Sequence, residues 1–393
     1  MLQRYIKEGT SNSDIYSFEG IEAQNLINLF NDFGANIEYI LAEEPIQEIT
    51  DKERFDKGLA IKIDRNVHNS LRKMIDDGME SKDWYYEISN SIFESLGESE
   101  GCLFLLLLAS TSPRNMLTTN FSEASLIYTG FKQDIEENEE LLMQFIYSNE
   151  SAIDFQYDEG SSWYDLNLVQ SMAKYGDGGI KDVGAKLNNI KKSFKFYINS
   201  NANINKSQLL SYLSSRFNPY SKTIKGIIDF DDLTPRRGKI YNFTMNLLEP
   251  DYSVDIKNKT WYFVTIDSWM IKAFYPDLPE KQQNSIFSHN AKYLYMQNKI
   301  IQFANESGLL PHQVQASIWT AKLKEQGRSV DSFSKAIINK QKQLNIANQR
   351  LSEVAMDLKG TIQSIYNYYT IKPSQAGMST GFADADADED APF

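Results

Sequence analysis

Apolar residues recur every three or four positions through much of the chain, and this spacing predicts amphipathic α-helices. One such helix begins near Trp84, and the run from 103 to 108 that follows is apolar on every side, as expected for a helix inside a core. Ser112 and Pro113 interrupt the pattern before a third helix. Two further helices are predicted between 285 and 324. The pattern therefore predicts a mostly α-helical fold.

The stretch from 334 to 369 repeats apolar residues every seven positions, which predicts one long amphipathic helix. The repeated positions are Ile337, Leu344, Leu351, Leu358 and Ile365. This apolar stripe either packs back on the rest of the protein or pairs with a second copy of the chain. The protein is thus expected to be a monomer, or a homodimer joined through this helix.

The two ends of the chain differ from its helical middle. Residues 1–82 mix helical spacing with strand-like alternation at 58–63, which predicts a small mixed α/β addition. Residues 372–393 lose all periodicity and end in alternating Asp and Ala, which predicts a disordered acidic tail. The predicted organisation places a two-lobed helical core at 83–327 and the long helix at 328–371, between the addition and the tail.

The charge pattern is acidic overall and basic only locally. The net charge of −13 argues against a strongly basic nucleic-acid-binding protein, since affinity for DNA comes from neutralising phosphates. The acidic run at 134–140 is interpreted as the solvated side of an amphipathic helix from 127 to 155. Lys186, Lys192 and Lys195 share one side of another predicted helix, where they are either solvated or in contact with the DNA backbone.

Length and composition bound the class of protein. A chain of 393 residues with 41% hydrophobic side chains can form two or three folded units. Its longest apolar run, 102–109, is too short to cross a bilayer, so we expect no membrane partner and a cytoplasmic location. The single cysteine, Cys102, excludes an internal disulfide and an all-cysteine metal cluster. His289 and His312 lack the spacing of a metal site, so neither a metal nor a cofactor is predicted.

Two residues in the stretch from 233 to 273 carry reactive groups at unusual positions. Lys239 follows a Thr-Pro turn and Gly238, and so falls at the start of a predicted helix. Asp267 interrupts an apolar set, where a carboxylate costs free energy unless it is hydrogen-bonded or takes part in chemistry. Lys239 and Asp267 are therefore the candidate catalytic residues.

This stretch resembles the central part of the helix-hairpin-helix DNA glycosylases, the endonuclease III superfamily. In that family a glycine-containing hairpin leads to a lysine, an asparagine often follows three residues later, and a Val-Asp segment lies downstream. Lys239, Asn242 and Asp267 fall on these positions. The resemblance implies that Asp267 is the catalytic carboxylate and that Lys239 attacks the sugar.

The same resemblance implies DNA contacts beside the catalytic pair. Arg236, Arg237 and Gly238 occupy the hairpin, and together with Asn242 they are expected to hold the DNA backbone. Many enzymes of this superfamily carry an iron–sulfur cluster. We expect none here, because the chain has a single cysteine.

A base pocket is assigned to four residues, Trp269, Tyr241, Ser112 and Asn120. The first two are aromatic and near the catalytic pair in sequence, with packing in the core as the alternative. The other two resemble a Ser-Pro pair and a later asparagine in a phage branch of the superfamily, which includes the alpha-glutamyl/putrescinyl thymine pyrophosphorylase-like group; helix capping is the alternative. Gln313, Gln315 and Trp319 resemble a Gln-Ala-x-x-Trp signature of the same group.

The last residues resemble the acidic tip of bacterial single-stranded-DNA-binding proteins. Asp388, Glu389 and Asp390 precede Pro392 and Phe393. The resemblance implies docking on a replication or repair protein, with the acids as steering charges and the phenylalanine as an aromatic anchor. The alternatives are a solubilising tail and a mimic of DNA.

These features predict a DNA glycosylase-superfamily protein of phage type that acts on a flipped base in DNA, either natural or modified. The reaction would be base excision or the processing of a modified thymine. Two other hypotheses stay open: a replication or DNA-binding accessory protein that works through its tail, and a virion component. Catalysis requires Asp267 to line an open cleft, whereas the accessory role requires only a basic groove and a free tail.

Overall fold

The structure is a computed structural model of the chain. It describes residues 63–112, 117–148, 161–175, 179–180, 183–215, 235–256, 259–279, 283, 290–328, 332–344 and 357–370. Within these residues the protein is mostly helical, with fourteen α-helices and one two-stranded antiparallel hairpin. The mostly helical character predicted from the apolar spacing is therefore confirmed. In the same residues no helix is both long and apolar enough to span a bilayer.

Nine helices precede the hairpin in the described part of the chain. They are α1 (Arg65–Asp77), α2 (Trp84–Leu96), α3 (Glu98–Thr111), α4 (Leu117–Glu137), α5 (Glu139–Tyr147), α6 (Asn167–Ala173), α7 (Val183–Asn199), α8 (Lys206–Ser215) and α9 (Pro235–Leu248). The hairpin pairs β1 (Ser253–Ile256) with β2 (Lys259–Tyr262). The remaining helices are α10 (Ser268–Phe274), α11 (Asn290–Ser307), α12 (Pro311–Glu325), α13 (Phe333–Gln343) and α14 (Leu358–Thr370).

Helix α3 lies at the centre of the larger of two groups of buried apolar side chains, which we term the first cluster. Every residue from Gly101 to Thr111 is buried, because α2, α4, α7, α8 and α9 all pack against this helix. A helix with no side facing water requires apolar residues all round, which accounts for its leucine-rich sequence. Helices α13 and α14 complete the first cluster.

The second cluster is formed by α1, α10, α11, α12 and the extended segment that precedes α10. Phe263 belongs to the first cluster and Val264 to the second. The chain therefore passes from one cluster to the other immediately before Asp267. Of the predicted addition at 1–82, the structure describes only residues from 63 onward, and there α1 packs against α10 and α12. The strand-like alternation before residue 63 lies outside the described residues.

The prediction of one long helix from 334 to 369 is wrong. Helices α13 and α14 are separate, and the side-chain amide of Gln341 donates a 2.8 Å hydrogen bond to the hydroxyl of Thr361. In one straight helix these residues would be about 30 Å apart, whereas here α13 and α14 lie in contact with each other. The described heptad residues are all buried in the first cluster: Ile337, Leu344, Leu358 and Ile365. Their spacing reflects packing of two helices on this chain's own core.

The acidic run at 134–140 is not wholly solvated, and the helix predicted from 127 to 155 is broken between α4 and α5. Asp134 is fully buried. Its carboxylate accepts the backbone N–H groups of Asn167 and Leu168, each over 2.8 Å. Asp134 lies on α4, and it thereby pairs two backbone N–H groups of the first turn of α6 that have no partner within α6. The partner is distant in sequence, so the charge run alone could not reveal this burial.

Candidate active site

Lys239 lies near the start of α9, as predicted. Proline is favoured at the first helical position, and Pro235 occupies it here. Side chains three and four positions apart share one side of a helix, so Asn242 and Phe243 lie beside Lys239, whereas Tyr241 lies on the opposite side. The start of α9 therefore presents an amine with an amide and an aromatic ring next to it.

Asp267 is the N-cap residue of α10. Its carboxylate accepts the backbone N–H of Met270 over 2.9 Å. Aspartate is among the preferred N-cap residues, because its oxygen satisfies a donor that has no partner within the helix. This cap explains how a carboxylate is accommodated within an apolar stretch. It also fixes the direction of the side chain.

The segment before Asp267 is held by a polar residue of α9. The side-chain amide of Asn246 donates to the carbonyl of Phe263 over 2.9 Å, and its oxygen accepts the hydroxyl of Thr265, also over 2.9 Å. All these groups are buried. One asparagine thus ties α9 to two positions of the extended segment.

Helix α11 holds the same segment from another side. The side-chain amide of Gln297 donates to the carbonyl of Val264 over 2.9 Å. The hydroxyl of Tyr293 accepts the backbone N–H of Ile266 over 3.2 Å and lies 3.4 Å from the side-chain nitrogen of Asn242. Backbone groups that no helix or sheet pairs are thereby satisfied, and the approach to Asp267 is rigid.

Lys239 and Asp267 interact electrostatically. Burial lowers the pKa of Lys239, and the negative charge of Asp267 opposes that shift. Burial raises the pKa of Asp267, while Lys239 and the backbone N–H groups of Met270 and Trp269 oppose the rise. Both side chains keep some contact with solvent, but the protein atoms packed around them dominate. The lysine is therefore neutral more readily than a lysine in water, which is what a nucleophilic amine requires.

Helix α12 contributes two further side chains to the site. The side chain of Trp319 hydrogen-bonds the carboxylate of Asp267 and opposes the rise in its pKa. One turn earlier, Gln315 accepts the hydroxyl of Tyr85 over 2.9 Å. The charge of Asp267 also acts on Tyr85, whose pKa is raised, chiefly by burial. Of the three signature residues, Gln315 and Trp319 thus lie on the side of α12 that faces the candidate carboxylate, whereas the side-chain amide of Gln313 donates to Asp83.

The chain has no match among protein-family profiles, curated proteins or solved structures. Within the described residues, no three His, Cys, Asp or Glu side chains group in a way that could hold a metal ion. The chemistry assigned to the site therefore depends on the residues of this chain and their geometry.

Several contributors to the site were not predicted from the sequence: Tyr85, Tyr293, Asn246 and Gln297. The tyrosines occupy apolar helical positions, so their spacing indicated only packing. Asn246 and Gln297 did carry a signal, because each is a polar residue among buried apolar neighbours, as Asp267 is. The same criterion applied to α9 and α11 would have found both.

Three residues assigned to the base pocket have structural roles instead. Tyr241 is buried, and its hydroxyl donates to the carbonyl of Leu213 over 2.9 Å, on the side of α9 away from Lys239. Ser112 donates to the carbonyl of Ala109 at the end of α3. Asn120 is also buried, with its amide on the carbonyl of Leu108 and its oxygen on the hydroxyl of Thr111. These are the packing and helix-end alternatives considered for the same residues.

The expected row of solvent-facing lysines on α7 is also corrected in part. Lys186 is 1% exposed and its ammonium lies 2.9 Å from the carboxylate of Glu123, which is equally buried. It is therefore not placed to contact DNA. Lys192 and Lys195 keep partial exposure, and the ammonium of Lys195 lies 5.0 Å from the ring centroid of Tyr147.

The remaining predicted positions are only partly covered by the structure. Arg236, Arg237 and Gly238 belong to the first turn of α9, so a hairpin of the expected kind would lie before Pro235, outside the described residues. The tail residues Asp388, Glu389, Asp390, Pro392 and Phe393 also lie outside them. Their predicted contacts stay predictions.

Proposed function

We propose that this protein is a DNA glycosylase-type enzyme of the helix-hairpin-helix superfamily, with Asp267 and Lys239 as its catalytic residues. The observation that carries the proposal is the electrostatic pairing of a partly buried lysine of lowered pKa with a carboxylate on a rigid polar frame. Perturbed pairs of this kind are typical of functional sites. The substrate would be a nucleotide flipped out of DNA, with a natural or modified base.

The two residues suit the two stages of N-glycosidic bond cleavage. Positive charge develops on the sugar as the bond to the base breaks, and the carboxylate of Asp267 would stabilise it. The neutral amine of Lys239 would then form a bond to C1′, while the base leaves with the bonding electron pair and takes up a proton. Loss of an amine proton and opening of the sugar ring would give a Schiff base. Trp319 and the Met270 N–H would hold the carboxylate in place.

The arrangement of the two clusters supports the same proposal. The chain passes from the first cluster to the second between Phe263 and Val264, next to Asp267. A two-lobed core with its site at the junction would admit a flipped nucleotide from solvent. The partial exposure of Lys239 and Asp267 is in keeping with such an opening.

The test is single-turnover incubation with DNA duplexes that carry natural and phage-type modified bases, followed by mass spectrometry of released bases and of borohydride-trapped adducts. Asp267→Asn keeps an N-cap oxygen and removes the charge, so it should fold normally and lose release by about 100-fold or more. Asp64→Asn is the matched control, because Asp64 caps α1 with a 2.8 Å bond to the N–H of Val67.

Lys239→Gln should abolish the trapped adduct. Its control is Lys191→Gln on α7, which removes a buried ammonium that bonds the hydroxyl of Ser148 at the end of α5. Release that persists in Asp267→Asn would refute the assigned chemistry. If no substrate releases a base while DNA binding is intact in every variant, the accessory-protein alternative is favoured, and removal of residues 372–393 becomes the next experiment.

A further inference from the structure

Two buried polar atoms lie on one side of α2, and neither has a hydrogen-bond partner among the described residues. They are the indole Nε1 of Trp84, a side chain that is 8% exposed, and the carboxylate Oε2 of Glu87. Residues three positions apart on a helix have Cβ atoms about 5–6 Å from each other, so this donor and this acceptor are neighbours. A buried polar atom without a partner costs free energy, and its retention therefore calls for an explanation in function.

Trp84 lies where the two clusters meet. Its ring centroid is 6.4 Å from that of Phe243 and 5.6 Å from that of Trp319. Phe243 follows Lys239 by one turn of α9, and Trp319 bonds the carboxylate of Asp267. The first of these aromatic neighbours belongs to the first cluster, and the second packs against the second cluster. The indole thus contacts a neighbour of each candidate catalytic residue.

Glu87 is held by the start of another helix. Its carboxylate accepts the backbone N–H of Phe333, the first residue of α13. Burial raises the pKa of Glu87, and this bond opposes the rise. Because the bond to α13 fixes the carboxylate, the unpaired Oε2 keeps a defined position as an acceptor. Along α2, Trp84 therefore adjoins the catalytic pair, and Glu87 follows one turn later.

A flipped base of one chemical class matches this donor and acceptor. Proteins hold a flipped base between aromatic side chains and read it by hydrogen bonds to its edge. An indole N–H only donates and an ionised carboxylate only accepts, so the base must present an acceptor beside an N–H. In a pyrimidine-2,4-dione, such as uracil or thymine, the O2 carbonyl lies between the glycosidic nitrogen and the N3–H. Cytosine has the same carbonyl, but its N3 is an acceptor and would face the carboxylate.

We propose that Trp84 and Glu87 determine the specificity of the site and select a pyrimidine-2,4-dione. The N–H of Trp84 donates to O2, next to the bond that breaks, and Oε2 of Glu87 accepts the N3–H. This inference rests on the proposed function and names the class of base that enters the site. The O2 atom gains negative charge as the base leaves, so the indole N–H also stabilises the leaving group.

Trp269, which was predicted for the base pocket, has cations near its ring. The ammonium of Lys272 is 4.5 Å from the ring centroid, and the guanidinium carbon of Arg328 is 5.0 Å from it. The recognition assigned to Trp84 and Glu87 does not involve this residue.

The experiment measures binding separately from catalysis. Full-length protein is titrated with fluorescein-labelled duplexes that carry one 2′-fluoroarabino nucleotide, whose fluorine slows cleavage of the glycosidic bond. A tetrahydrofuran abasic-site analogue lies opposite, so that the test base is never paired. The test base is uracil, N3-methyluracil or cytosine. The wild-type chain should bind the uracil duplex about ten-fold more tightly than either of the others, because both leave the carboxylate of Glu87 without a donor.

Two variants separate recognition from support of the fold. Glu87→Gln supplies an amide that can donate to N3 of cytosine, so the preference for uracil over cytosine should fall to about two-fold or less. A side chain that only supports the fold would not change this ratio. Trp84→Phe keeps a ring and removes the donor, so it should weaken binding of the uracil and cytosine duplexes alike, by about five-fold. Its thermal unfolding midpoint should not fall, because the variant no longer buries an unpaired donor.

The matched control is Glu94→Gln. Glu94 is an exposed acid of the same helix, so this variant removes the same charge and should leave all three affinities unchanged. Thermal unfolding of each variant shows whether it is folded. If Glu87→Gln does not fold, the comparison of uracil with N3-methyluracil in the wild-type chain decides the assignment of Glu87.

Base selectivity and base release test the two proposals separately. Equal affinities of the wild-type chain for the three duplexes would overturn this inference, whether or not the protein releases a base. An unchanged ratio of uracil to cytosine affinity in folded Glu87→Gln would also overturn it. Selectivity that is lost in this variant supports the inference even when no base is released, and in that case the proposed catalysis fails by itself. Absence of any measurable DNA binding by the wild-type chain would overturn both proposals.

Discussion

The hydroxyl oxygen of Tyr293 accepts the backbone N–H of Ile266 across 3.2 Å, so a buried tyrosine of α11 fixes the residue directly before Asp267. The same hydroxyl lies 3.4 Å from the side-chain nitrogen of Asn242, which shares a side of α9 with Lys239. One side chain therefore contacts the supports of both candidate catalytic residues. Their relative position depends on a polar contact inside the core.

Replacing Tyr293 by phenylalanine should damage the site more than it damages the fold. The change leaves the buried N–H of Ile266 without an acceptor, which should cost about 1–3 kcal/mol in urea denaturation. It should also slow base release, because the segment before Asp267 loses one of its fixed points. Tyr241→Phe is the control, since it removes a buried hydroxyl on the opposite side of α9. If Tyr293→Phe and Tyr241→Phe slow base release equally, the slower release would result from lower stability alone.

Adduct formation by Lys239 should depend on pH in a defined direction. Only the neutral amine is nucleophilic, and burial lowers the pKa of Lys239 below the ordinary value of 10.5. The yield of borohydride-trapped adduct should therefore rise with pH and reach half its maximum below that value. Asp267→Asn removes the charge that opposes this shift, so the residual trapping should have its midpoint at a still lower pH. A midpoint that moves upward in this variant would contradict the electrostatic pairing.

Asp134 should be far more important for stability than the other acids of its run. Replacement by alanine removes the acceptor of two buried backbone N–H groups in the first turn of α6. We expect a loss of about 2–3 kcal/mol in the free energy of unfolding. Glu136 is exposed on the same helix, and Glu136→Ala should change stability by less than about 0.5 kcal/mol. Similar unfolding midpoints for the two variants would mean that Asp134 does not cap α6 in solution.

The buried pair of Lys186 and Glu123 should show strong coupling. Lys186→Met removes the ammonium that compensates the buried carboxylate of Glu123 and should cost about 3–5 kcal/mol. The double change Lys186→Met with Glu123→Leu should recover most of that loss, because no unpaired charge is then buried. Chemical denaturation of the single and double variants gives the coupling energy. If the losses in the free energy of unfolding of the two single variants simply add in the double variant, the assignment of Lys186 to the core is contradicted. A lower salt dependence of DNA binding in Lys186→Met would also contradict it.

His312 should make the protein less stable in mildly acidic solution. It is buried, and desolvation lowers its pKa to about 4, although Asp251 and Asp83 partly oppose the shift. The unfolded chain takes up this proton below about 6.5, while the folded protein stays neutral until about 4, so unfolding binds a proton between these values. Stability should therefore fall as pH decreases through that window, by about 3 kcal/mol in all.

The contribution of His312 is isolated by comparison with His312→Asn. Carboxyl groups titrate in the same range in both proteins, so the difference between their stability curves belongs to the histidine. The variant should show a shallower loss of stability between pH 6.5 and 4 in urea denaturation at a series of pH values. Parallel curves would mean that His312 titrates normally in the folded state.

The positions of many helices could be predicted from the order of residues, because helical periodicity is a local property. The all-apolar run of α3 pairs its backbone N–H and C=O groups within the helix. Its side chains are removed from water only if the helix lies inside a core. Lys239 was likewise expected at a helix start, and Asp267 was singled out as a carboxylate among apolar neighbours. Both signals depend on residues a few positions away in the chain.

Long-range contacts account for what the local pattern left open. The spacing from 334 to 369 is the same for one helix and for two helices that pack on a single core. Contacts between distant residues, such as the bond from Gln341 to Thr361, distinguish the two cases. A run of acidic residues does not indicate which of them caps the start of a distant helix, as Asp134 does. The order of residues thus indicates where helices form and which polar residues are out of place. Tertiary contacts determine which of these residues are buried supports and which meet at a site, because burial and pKa depend on partners that are distant in the chain.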